Sequence, residues 1–561
     1  MSSLPPSALV SIQHAESDLS RSCVNFPPNI WGDIFLQYAS ESTEVNDNMK
    51  LQAQILKEEV KKMFQSSTNE NITQKLNFID TVQRLGVSYH FEQEINGVLE
   101  QIHNKFLKNN AINEDFDLYF LALLFRLLRQ QGYQISSNIF NKFKNDRGNF
   151  NEILGNDAEG LCSLYEAAHL RTHRDDILDE ALEFTYTHLK TLANQLTPSV
   201  AAQINHCLSK PLNKSLLRFE ARYHMDLYQQ DSSHNKILLT FAKVDFNILQ
   251  KMYQKEIGNI TKWWKKSNFV RKVPYARDRL VESYLWPLAS SFKPEYSNGR
   301  MFGGKLIAVV CLIDDTYDAY GTIQELELLT KAFQRWDISS IGSLPPCMKV
   351  IFDTIVELCE ELESMTAESG RSKFVVPHFK KAFCNLIKSY MVEAKWCHEG
   401  YIPTYDEYKV NGVLTSVIPF MLPSFISFQD FATEHVFDWI FSNPNIIKAA
   451  SVIGRVLDDM ASHKFEQQRV HVASAVECCM KQYKISKEEA YDLIHREVED
   501  CWKIINEEYL NPNDIPKSVL DCVVNVARMC EFSYENHQDK FTNAELQKDC
   551  VSSLLVDPMC I

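Results

Sequence analysis

Glycine and proline, the residues that most often interrupt helices, are scarce in this sequence. It contains 17 glycines and 19 prolines among 561 residues, about 3% each against typical usage of about 7% and 5%. Hydrophobic residues make up 45% of the chain, which excludes a disordered protein. Because 561 residues exceed what one core supports, we expect two or more domains built mainly from helices.

The sequence also lacks segments that direct proteins into or across membranes. No run reaches the ~20 apolar residues that a membrane-spanning helix needs, since prolines interrupt the longest one, 413–428. The first 23 residues have no long apolar core and include Glu16 and Asp18, so they resemble neither a signal peptide nor an acid-poor transit peptide. We therefore predict a cytoplasmic protein without a membrane span.

Basic residues are fewer than acidic residues, and the cysteines lack a metal-binding pattern. The net charge of −15 argues against nucleic acid or an anionic membrane as the main partner. The 15 cysteines show no CxxC spacing, so we interpret them as packing residues of a reduced protein.

Apolar residues recur at helical spacing along most of the chain, and alternating strand patterns are hard to find. The pattern predicts an all-α protein. A polar stretch at 229–236 separates two helical halves and is the best domain boundary. We predict a flexible segment at 1–25, an N-terminal helical domain at 26–232 and a C-terminal domain at 233–561.

Three aspartates follow an apolar helix in the C-terminal half. Residues 306–313 are apolar on all sides and run directly into Asp314, Asp315 and Asp318. Asp314 and Asp318 share one helix face, and Asp315 lies about 100° away. Acids this close at a buried helix end need a counter-charge, and magnesium binds a few carboxylates together with a substrate phosphate.

The same DDxxD pattern occurs at Asp175, Asp176 and Asp179, in a different setting. Arginines and a histidine surround this copy, which falls at the start of an amphipathic helix. Carboxylates there are favoured by the helix dipole. We interpret this copy as structural and expect Asp175→Ala to cost at most modest stability.

A second row of oxygen donors lies about 140 residues after the first. Asp458, Ser462 and Glu466 are spaced by four residues, so they line one helix face that suits a hard cation. Arg455 lies on nearly the same face, and a guanidinium grips phosphate oxygens with two nitrogens. Arg277 and Arg279 belong to a basic stretch at 261–280, whose lysines we interpret as surface residues.

Taken together, these motifs resemble those of plant terpene synthases over almost the whole chain. The resemblance runs through the segments NFPPNIWGDIF, RLGVSYHFEQEI, AAHLRTHRDDILDEALEFT, YARDRLVESYLW, IDDTYDAYGT and DDMASHKFE. It implies two helical domains, a relic α-barrel followed by a class I terpenoid cyclase bundle. The N-terminal half contains no DxDD motif, so protonation-initiated class II chemistry is not expected.

The resemblance also implies roles for the residues found above. Three magnesium ions, which manganese can replace, would bridge the two acidic faces to an isoprenyl diphosphate. The metal ligands would be Asp314, Asp315, Asp318, Asp458, Ser462 and Glu466. The diphosphate would contact Arg277, Arg279, Asp314, Asp318, Arg455 and Asp458.

Further positions match the pocket and lid of the family. Trp286 and Tyr534 match aromatic pocket positions, where π faces stabilise a carbocation without attacking it. Asp539 matches the lid, and Phe541 replaces a tyrosine of some relatives, so a proton relay through that hydroxyl is not expected. The run 413–428 matches a broken helix whose carbonyls and hydroxyls, near Thr415 and Ser416, would face the cation.

One departure from the family pattern bears on the substrate. Monoterpene cyclases of this family often carry a tandem arginine nine residues before a tryptophan, and here Arg21-Ser22 precedes Trp31. Together with the lack of a transit peptide pattern, this favours a cytoplasmic sesquiterpene synthase that ionises farnesyl diphosphate, a magnesium-dependent carbon–oxygen lyase. A monomer is expected separately from this departure. The alternatives are a monoterpene synthase acting on geranyl diphosphate, a chain-elongating prenyl diphosphate synthase and a catalytically inactive helical binding protein.

Overall fold

The computed structural model describes residues 24–40, 46–66, 71–108, 116–337, 339, 342, 344–511 and 514–561. The pair Arg21-Ser22 and most of the predicted segment 1–25 lie outside these ranges. Within them the chain is helical, and its one β-contact is an isolated bridge between Lys144 and Phe150. The prediction of an all-α protein is confirmed.

Eight α-helices precede the polar stretch that separates the two halves. They are α1 (Asp47–Ser66), α2 (Ile72–Arg84), α3 (Glu92–Lys108), α4 (Leu118–Gln130), α5 (Ala158–Ala168), α6 (Asp176–Ala193), α7 (Pro198–Ser209) and α8 (Leu217–Gln230), all within the described ranges. The polar stretch falls in the turn after α8, while the domain boundary drawn there stays a prediction.

The C-terminal half contains longer helices and both acidic motifs. Its described helices are α9 (Lys236–Ser267), α10 (Phe269–Lys272), α11 (Leu280–Ser290), α12 (Ser297–Ala319), α13 (Ile323–Arg335), α14 (Pro346–Ala367), α15 (Ser372–Glu399), α16 (Tyr405–Thr415), α17 (Ile418–Ile426), α18 (Glu434–Phe441), α19 (Asn445–Glu466), α20 (Ala475–Tyr483), α21 (Lys487–Leu510), α22 (Lys517–Ser533) and α23 (Lys548–Leu555).

Helix α12 is the central helix that delivers the first acidic motif. Its residues from Leu306 to Ile313 are all buried, as expected for a helix that is apolar all round. It packs closely on α17, because a Cβ at Gly299 would lie 2.4 Å from the Phe425 carbonyl oxygen and one at Gly303 would meet the Phe425 ring. These glycines let the two backbones approach each other closely.

The predicted broken helix is present, but a residue other than the two prolines interrupts it. Helix α16 ends at Thr415 and α17 begins at Ile418, and Val417 between them has φ of +67°. Pro419 lies in the first turn of α17, where its missing N–H costs no hydrogen bond. Pro423 lies inside α17, so the left-handed Val417 marks the break.

The same stretch, Tyr405–Ile426, is the one in the described residues that is long and apolar enough to be compared with a membrane span. Its mean hydropathy is 1.3, and 56% of the window is buried inside the protein. Its side chains form part of the protein core, and the left-handed residue divides it into two shorter helices.

The DDxxD copy in the N-terminal half belongs to the scaffold. Asp175 is buried and accepts from Arg129 Nη1 at 2.6 Å and from Arg129 Nη2 at 3.0 Å. Asp179 pairs with Arg171 and with Lys503 of α21. The structure corrects the modest cost expected for Asp175→Ala, because losing one partner of a buried pair leaves a buried charge unpaired.

Candidate active site

One cavity of about 460 Å³ is lined by residues of five helices, among them Leu326 of α13. Side chains of α12, α15, α16 and α19 also line it, joined by Phe26 and by Asp539 and Thr542 of the C-terminal segment. Both acidic motifs found in the sequence open onto this cavity. The lining residues that they and the neighbouring arginines contribute are Arg277, Asp314, Asp315, Asp318, Arg455, Asp458, Ser462 and Glu466.

The three aspartates at the end of α12 have different surroundings. Asp315 is 1% exposed and accepts from the backbone N–H of Arg277 at 2.7 Å and from its Nε. Asp314 and Asp318 are 37% and 30% exposed. Asp314 accepts from Arg277 Nη2 at 2.7 Å. Asp315 thus orients Arg277, whereas the carboxylates of Asp314 and Asp318 remain accessible at the cavity wall.

Helix α19 presents its row of donors to the same cavity. Arg455 Nη2 donates to Asp458 Oδ2 at 2.5 Å, and Arg455 Nε donates to Asp459 Oδ1 at 2.9 Å. The Ser462 hydroxyl oxygen is buried and has no hydrogen-bond partner among the described residues. This hydroxyl is therefore an unpartnered polar group beside the cavity.

Negative charge is under-compensated in the cavity. Burial raises the pKa of Asp458 to about 7 against the opposing charge of Arg455. Burial also raises the pKa of Glu466 to about 8, and nearby Asp459 and Asp318 add to the shift. Burial raises the pKa of Asp314 despite Arg277. Such carboxylates lack sufficient positive charge, and a hard divalent cation with oxygen ligands supplies it.

The donor set therefore fits magnesium, although the ligand atoms do not surround a single metal position in this structure. In the described part of the chain, no group of three or more His, Cys, Asp or Glu side chains is preassembled as a metal site. The oxygens of Asp314, Asp318, Asp458, Ser462 and Glu466 lie on two helices that face one cavity. Oxygen-only ligands with exposed carboxylates are the donors that magnesium prefers beside a phosphate.

An apolar chamber of about 120 Å³ adjoins the acidic cavity. Trp286, Ile307, Val310, Met421 and Tyr534 contribute to its wall. Trp286 is buried, and its indole N–H has no hydrogen-bond partner among the described residues. A second set of residues lines both spaces, so they form a junction between an acidic opening and an apolar interior: Arg277, Asp314, Tyr390, Arg455, Asp458, Asp539 and Thr542.

The hydroxyls at the helix break are engaged within the protein. Thr415 Oγ1 donates to Glu393 Oε1 at 2.7 Å, and Ser416 Oγ donates to the carbonyl of Val413 at 2.8 Å. Thr415, Ser416 and Val417 line the apolar chamber. The break therefore places polar backbone at an otherwise apolar wall.

Arg279, predicted to contact the diphosphate, has contacts of a different kind. It is 1% exposed, and its guanidinium donates to the carbonyls of Thr542, Asp278 and Pro27. It does not line the acidic cavity. Arg279 joins the N-terminal segment to the C-terminal segment that carries Asp539.

Glu393, Asp459 and Arg469 are charged residues of the cavity that were missed in the sequence. Glu393 of α15 lies in the cavity wall, and burial raises its pKa to about 7 against Arg455. Arg469 follows α19, and its Nη2 donates to Asp318 Oδ2 at 2.6 Å. The apolar residues on either side of Glu393, Val392 and Ala394, were the available signal for it, whereas nothing local distinguishes Arg469.

Comparison with known proteins agrees with this arrangement. Residues 30–208 match the model of the terpene synthase N-terminal domain, and residues 265–504 match the terpene synthase family metal-binding domain. A sesquiterpene synthase of Santalum austrocaledonicum is 44% identical over 97% of each chain. A limonene synthase structure with 2-fluorolinalyl diphosphate has a TM-score of 0.91 at 30% identity, covering 96% of this chain and 100% of that one.

A second structure shows the metal content of a similar protein. Isoprene synthase from grey poplar leaves (Populus x canescens), in complex with three Mg²⁺ ions and dimethylallyl-S-thiolodiphosphate, has a TM-score of 0.84 at 32% identity. The alignment covers 91% of this chain and 97% of that one. Fold and family models thus define a metal-dependent lyase acting on prenyl diphosphates. The chain belongs to the terpene synthase family.

Proposed function

We propose that this terpene synthase is a sesquiterpene synthase that ionises farnesyl diphosphate and cyclises the resulting carbocation. The observation that carries the proposal is the junction between the acidic cavity and the apolar chamber. A diphosphate at the opening would direct its hydrocarbon chain inward. The 44% identity to a protein named as a sesquiterpene synthase supports the C15 substrate.

The acidic cavity would hold the diphosphate and its metal ions. Asp314, Asp318, Asp458, Ser462 and Glu466 are the proposed metal-binding residues, and three ions are proposed because the isoprene synthase complex holds three. When bound, magnesium neutralises charge on the diphosphate and so assists its departure. Asp315 contributes by holding Arg277 in place.

Arg277 and Arg455 would stabilise the departing diphosphate. Both guanidiniums line the junction between the two spaces, so they lie where negative charge grows as the carbon–oxygen bond breaks. Fixed donors aimed at developing charge are commonly worth about 3–4 kcal/mol each. Asp314 and Asp315 hold Arg277, and Asp458 and Asp459 hold Arg455.

The apolar chamber would protect and steer the carbocation. Trp286 offers a π face whose attraction for a cation is worth about 0.5–2 kcal/mol. Ile307, Val310 and Met421 exclude water, which would otherwise capture the cation. Tyr534 and Asp539 line the same chamber on the C-terminal side.

Parallel assays with two substrates test this function. Purified protein with magnesium is given farnesyl diphosphate or geranyl diphosphate, and products are identified by gas chromatography–mass spectrometry. We expect a higher kcat/KM for farnesyl diphosphate and mainly acyclic products from geranyl diphosphate. Asp318→Asn is the negative control and should show no metal-dependent release of diphosphate. Asp353→Asn makes the same change at an exposed position of α14 and is its matched control.

A monoterpene synthase is the second candidate, because the limonene synthase structure matches this fold over 96% of the chain. Faster conversion of geranyl diphosphate to cyclic products would establish it and overturn the C15 assignment. A cytoplasmic location and a monomeric state remain predictions. Imaging of a fluorescent fusion in plant cells and light scattering after size exclusion test them separately.

A further inference from the structure

Arg469 is the basic residue that connects the two acidic faces of the cavity. It lies three residues after Glu466, beyond the end of α19, and its Nη2 donates to Asp318 Oδ2 of α12 at 2.6 Å. The arginine side chain is 16% exposed and that of Asp318 is 30% exposed. Asp318 is thus paired with a residue that follows α19, whereas Asp314 is paired with Arg277.

Most of the hydrogen-bonding capacity of Arg469 is unused. Its Nε and Nη1 are buried and have no hydrogen-bond partner among the described residues. A guanidinium carries five N–H donors in a planar fork that matches two oxygens of a phosphate. Donors buried without partners are unfavourable. Arg469 therefore has both a replaceable partner and free donors for a second anion.

The segment that carries Arg469 is anchored at its far end. Ala475 N donates to Asp459 Oδ2 at 2.8 Å, and His471 contacts Glu477 of α20 at 3.1 Å. Arg469 lies between these anchors and the end of α19, and it lines the same cavity as Arg277 and Arg455. Its side chain can exchange partners without moving the helices that carry the other groups.

We infer that Arg469 is an exchangeable counter-ion that couples metal binding to diphosphate binding. Without ligands, the Arg469 guanidinium is paired with the Asp318 carboxylate. When magnesium diphosphate arrives, the guanidinium transfers to diphosphate oxygens and releases the Asp318 carboxylate for the metal. This inference rests on the proposed function, since it takes Asp318 as a metal-binding residue.

If the exchange occurs, Arg469 has effects of opposite sign on two binding affinities. Magnesium alone has to displace Arg469 from Asp318, so Arg469 weakens the binding of magnesium alone. A diphosphate gains the guanidinium as a partner, so Arg469 strengthens the binding of diphosphate in the presence of magnesium. General structural damage would weaken both binding steps together.

Isothermal titration of the full-length protein tests these signs. Magnesium chloride is titrated alone, and inorganic diphosphate is then titrated at saturating magnesium. For Arg469→Gln we expect magnesium alone to bind about fivefold more tightly, the lower end of typical coupling factors. We expect inorganic diphosphate to bind about tenfold more weakly, as for a lost charge-assisted hydrogen bond.

Two further variants separate the contact from overall charge. Lys464→Gln removes the same charge from an exposed position of α19 and should leave both affinities within about twofold of wild type. Arg469→Lys keeps the charge but loses the fork, so it should weaken diphosphate binding with little change for magnesium alone. Melting temperatures of all variants establish that each is folded.

Three results would overturn the inference. They are loss of both affinities in folded Arg469→Gln, no change in either, or the same changes in Lys464→Gln. Asp318→Asn distinguishes this failure from failure of the proposed function. If wild type binds magnesium and Asp318→Asn does not, the metal site stands whatever Arg469 does. If the two bind magnesium equally, the metal assignment fails and the inference fails with it.

Discussion

At the residue scale, neighbouring carboxylates of one motif differ in their surroundings. Asp315 is almost fully buried and orients Arg277, while Asp314 and Asp318 remain accessible at the cavity wall. The 100° between adjacent helical residues separates them, because Asp315 is buried against Arg277 while Asp314 and Asp318 lie on another face of α12. A DDxxD motif thus contains two kinds of acid.

The first prediction concerns the DDxxD copy in the N-terminal half. Asp175→Ala should lower the free energy of unfolding by about 3–5 kcal/mol, because it leaves buried Arg129 without its carboxylate. Thermal and urea unfolding measure the loss. Asp176→Ala is the matched control at an exposed first-turn position and should cost about 1 kcal/mol or less. Equal losses in the two variants would contradict the assignment.

The same experiment has an activity readout. The product spectrum of Asp175→Ala, measured at a temperature where the variant is folded, should match that of wild type. The acid lies in the N-terminal scaffold and lines neither the acidic cavity nor the apolar chamber. A changed ratio of products would show that the scaffold copy influences chemistry.

The second prediction separates leaving-group stabilisation from carbocation steering. Arg455→Ala should lower kcat for diphosphate release by about 100- to 1000-fold, because a donor at the developing charge is lost. Trp286→Phe keeps an aromatic face, so it should lower kcat for diphosphate release by about thirtyfold at most. A coupled phosphate assay measures release, and mass spectrometry should show that Trp286→Phe redistributes the products. A larger rate loss in Trp286→Phe would reverse the two roles.

At the element scale, the break between α16 and α17 depends on an unfavourable backbone conformation. Val417 has φ of +67°, which is costly for a β-branched residue. The surrounding packing compensates for this, since Ile418 and Phe420 on one side and Thr415 on the other are buried. Such strain is commonly found where backbone borders a ligand site, and this break lines the apolar chamber.

The third prediction uses glycine and alanine to measure that strain. Val417→Ala removes the two γ-methyl groups but keeps the Cβ that causes the strain, while Val417→Gly removes the Cβ as well. The glycine variant should therefore be about 1 kcal/mol more stable than the alanine variant. Within a regular helix glycine is less stable than alanine by a similar amount. Urea unfolding compares the two, and alanine being the more stable variant would argue against a strained break.

At the scale of the whole molecule, the two halves share one continuous core. The buried cluster extends from Trp31 near the N-terminus to Met559 near the C-terminus. Ion pairs add to the contact between the halves, and Glu499 of α21 pairs with Arg171 and Lys214 of the N-terminal half. The halves are therefore expected to support each other's stability.

The fourth prediction tests this contact through pH. Burial opposes ionisation of Glu499, but Lys214 and Arg171 outweigh it and hold the pKa below its usual value. A depressed pKa stabilises the fold above the unfolded-state pKa of about 4.3, and this contribution is lost as pH falls through the folded-state pKa. Glu499→Gln should therefore lower the melting temperature at pH 7, by the equivalent of about 1 kcal/mol for a partly exposed, screened pair.

The difference between Glu499→Gln and wild type should shrink below about pH 4, where both side chains are neutral in the unfolded chain. Melting curves between pH 7 and pH 3.5 measure it. Lys487→Gln, at an exposed first-turn position of α21, is a control without an interface contact. A difference that grows as the pH falls would contradict the sign of the pKa shift.

Helical spacing within single segments carried most of the prediction of which residues line the cavity. It identified the shared face of Asp314 and Asp318 and the row from Asp458 to Glu466, since neighbours on one helix are fixed by 3.6 residues per turn. It could not identify contacts that join distant segments. Arg469 and Asp318 are 151 positions apart, and Arg279 reaches the carbonyl of Thr542 across 263 positions.

The sequence by itself determined the all-helical class, the family and the two acidic faces, because each depends on composition or on spacing along one helix. Only the tertiary structure decided which charges meet. The packing of α12 against α17, and of the C-terminal segment against Arg279, determines which charged side chains come within contact distance. The partner of a long flexible side chain depends on which groups lie within its reach after folding. Those groups come from distant parts of the chain, so the residues next to it in the sequence do not reveal them.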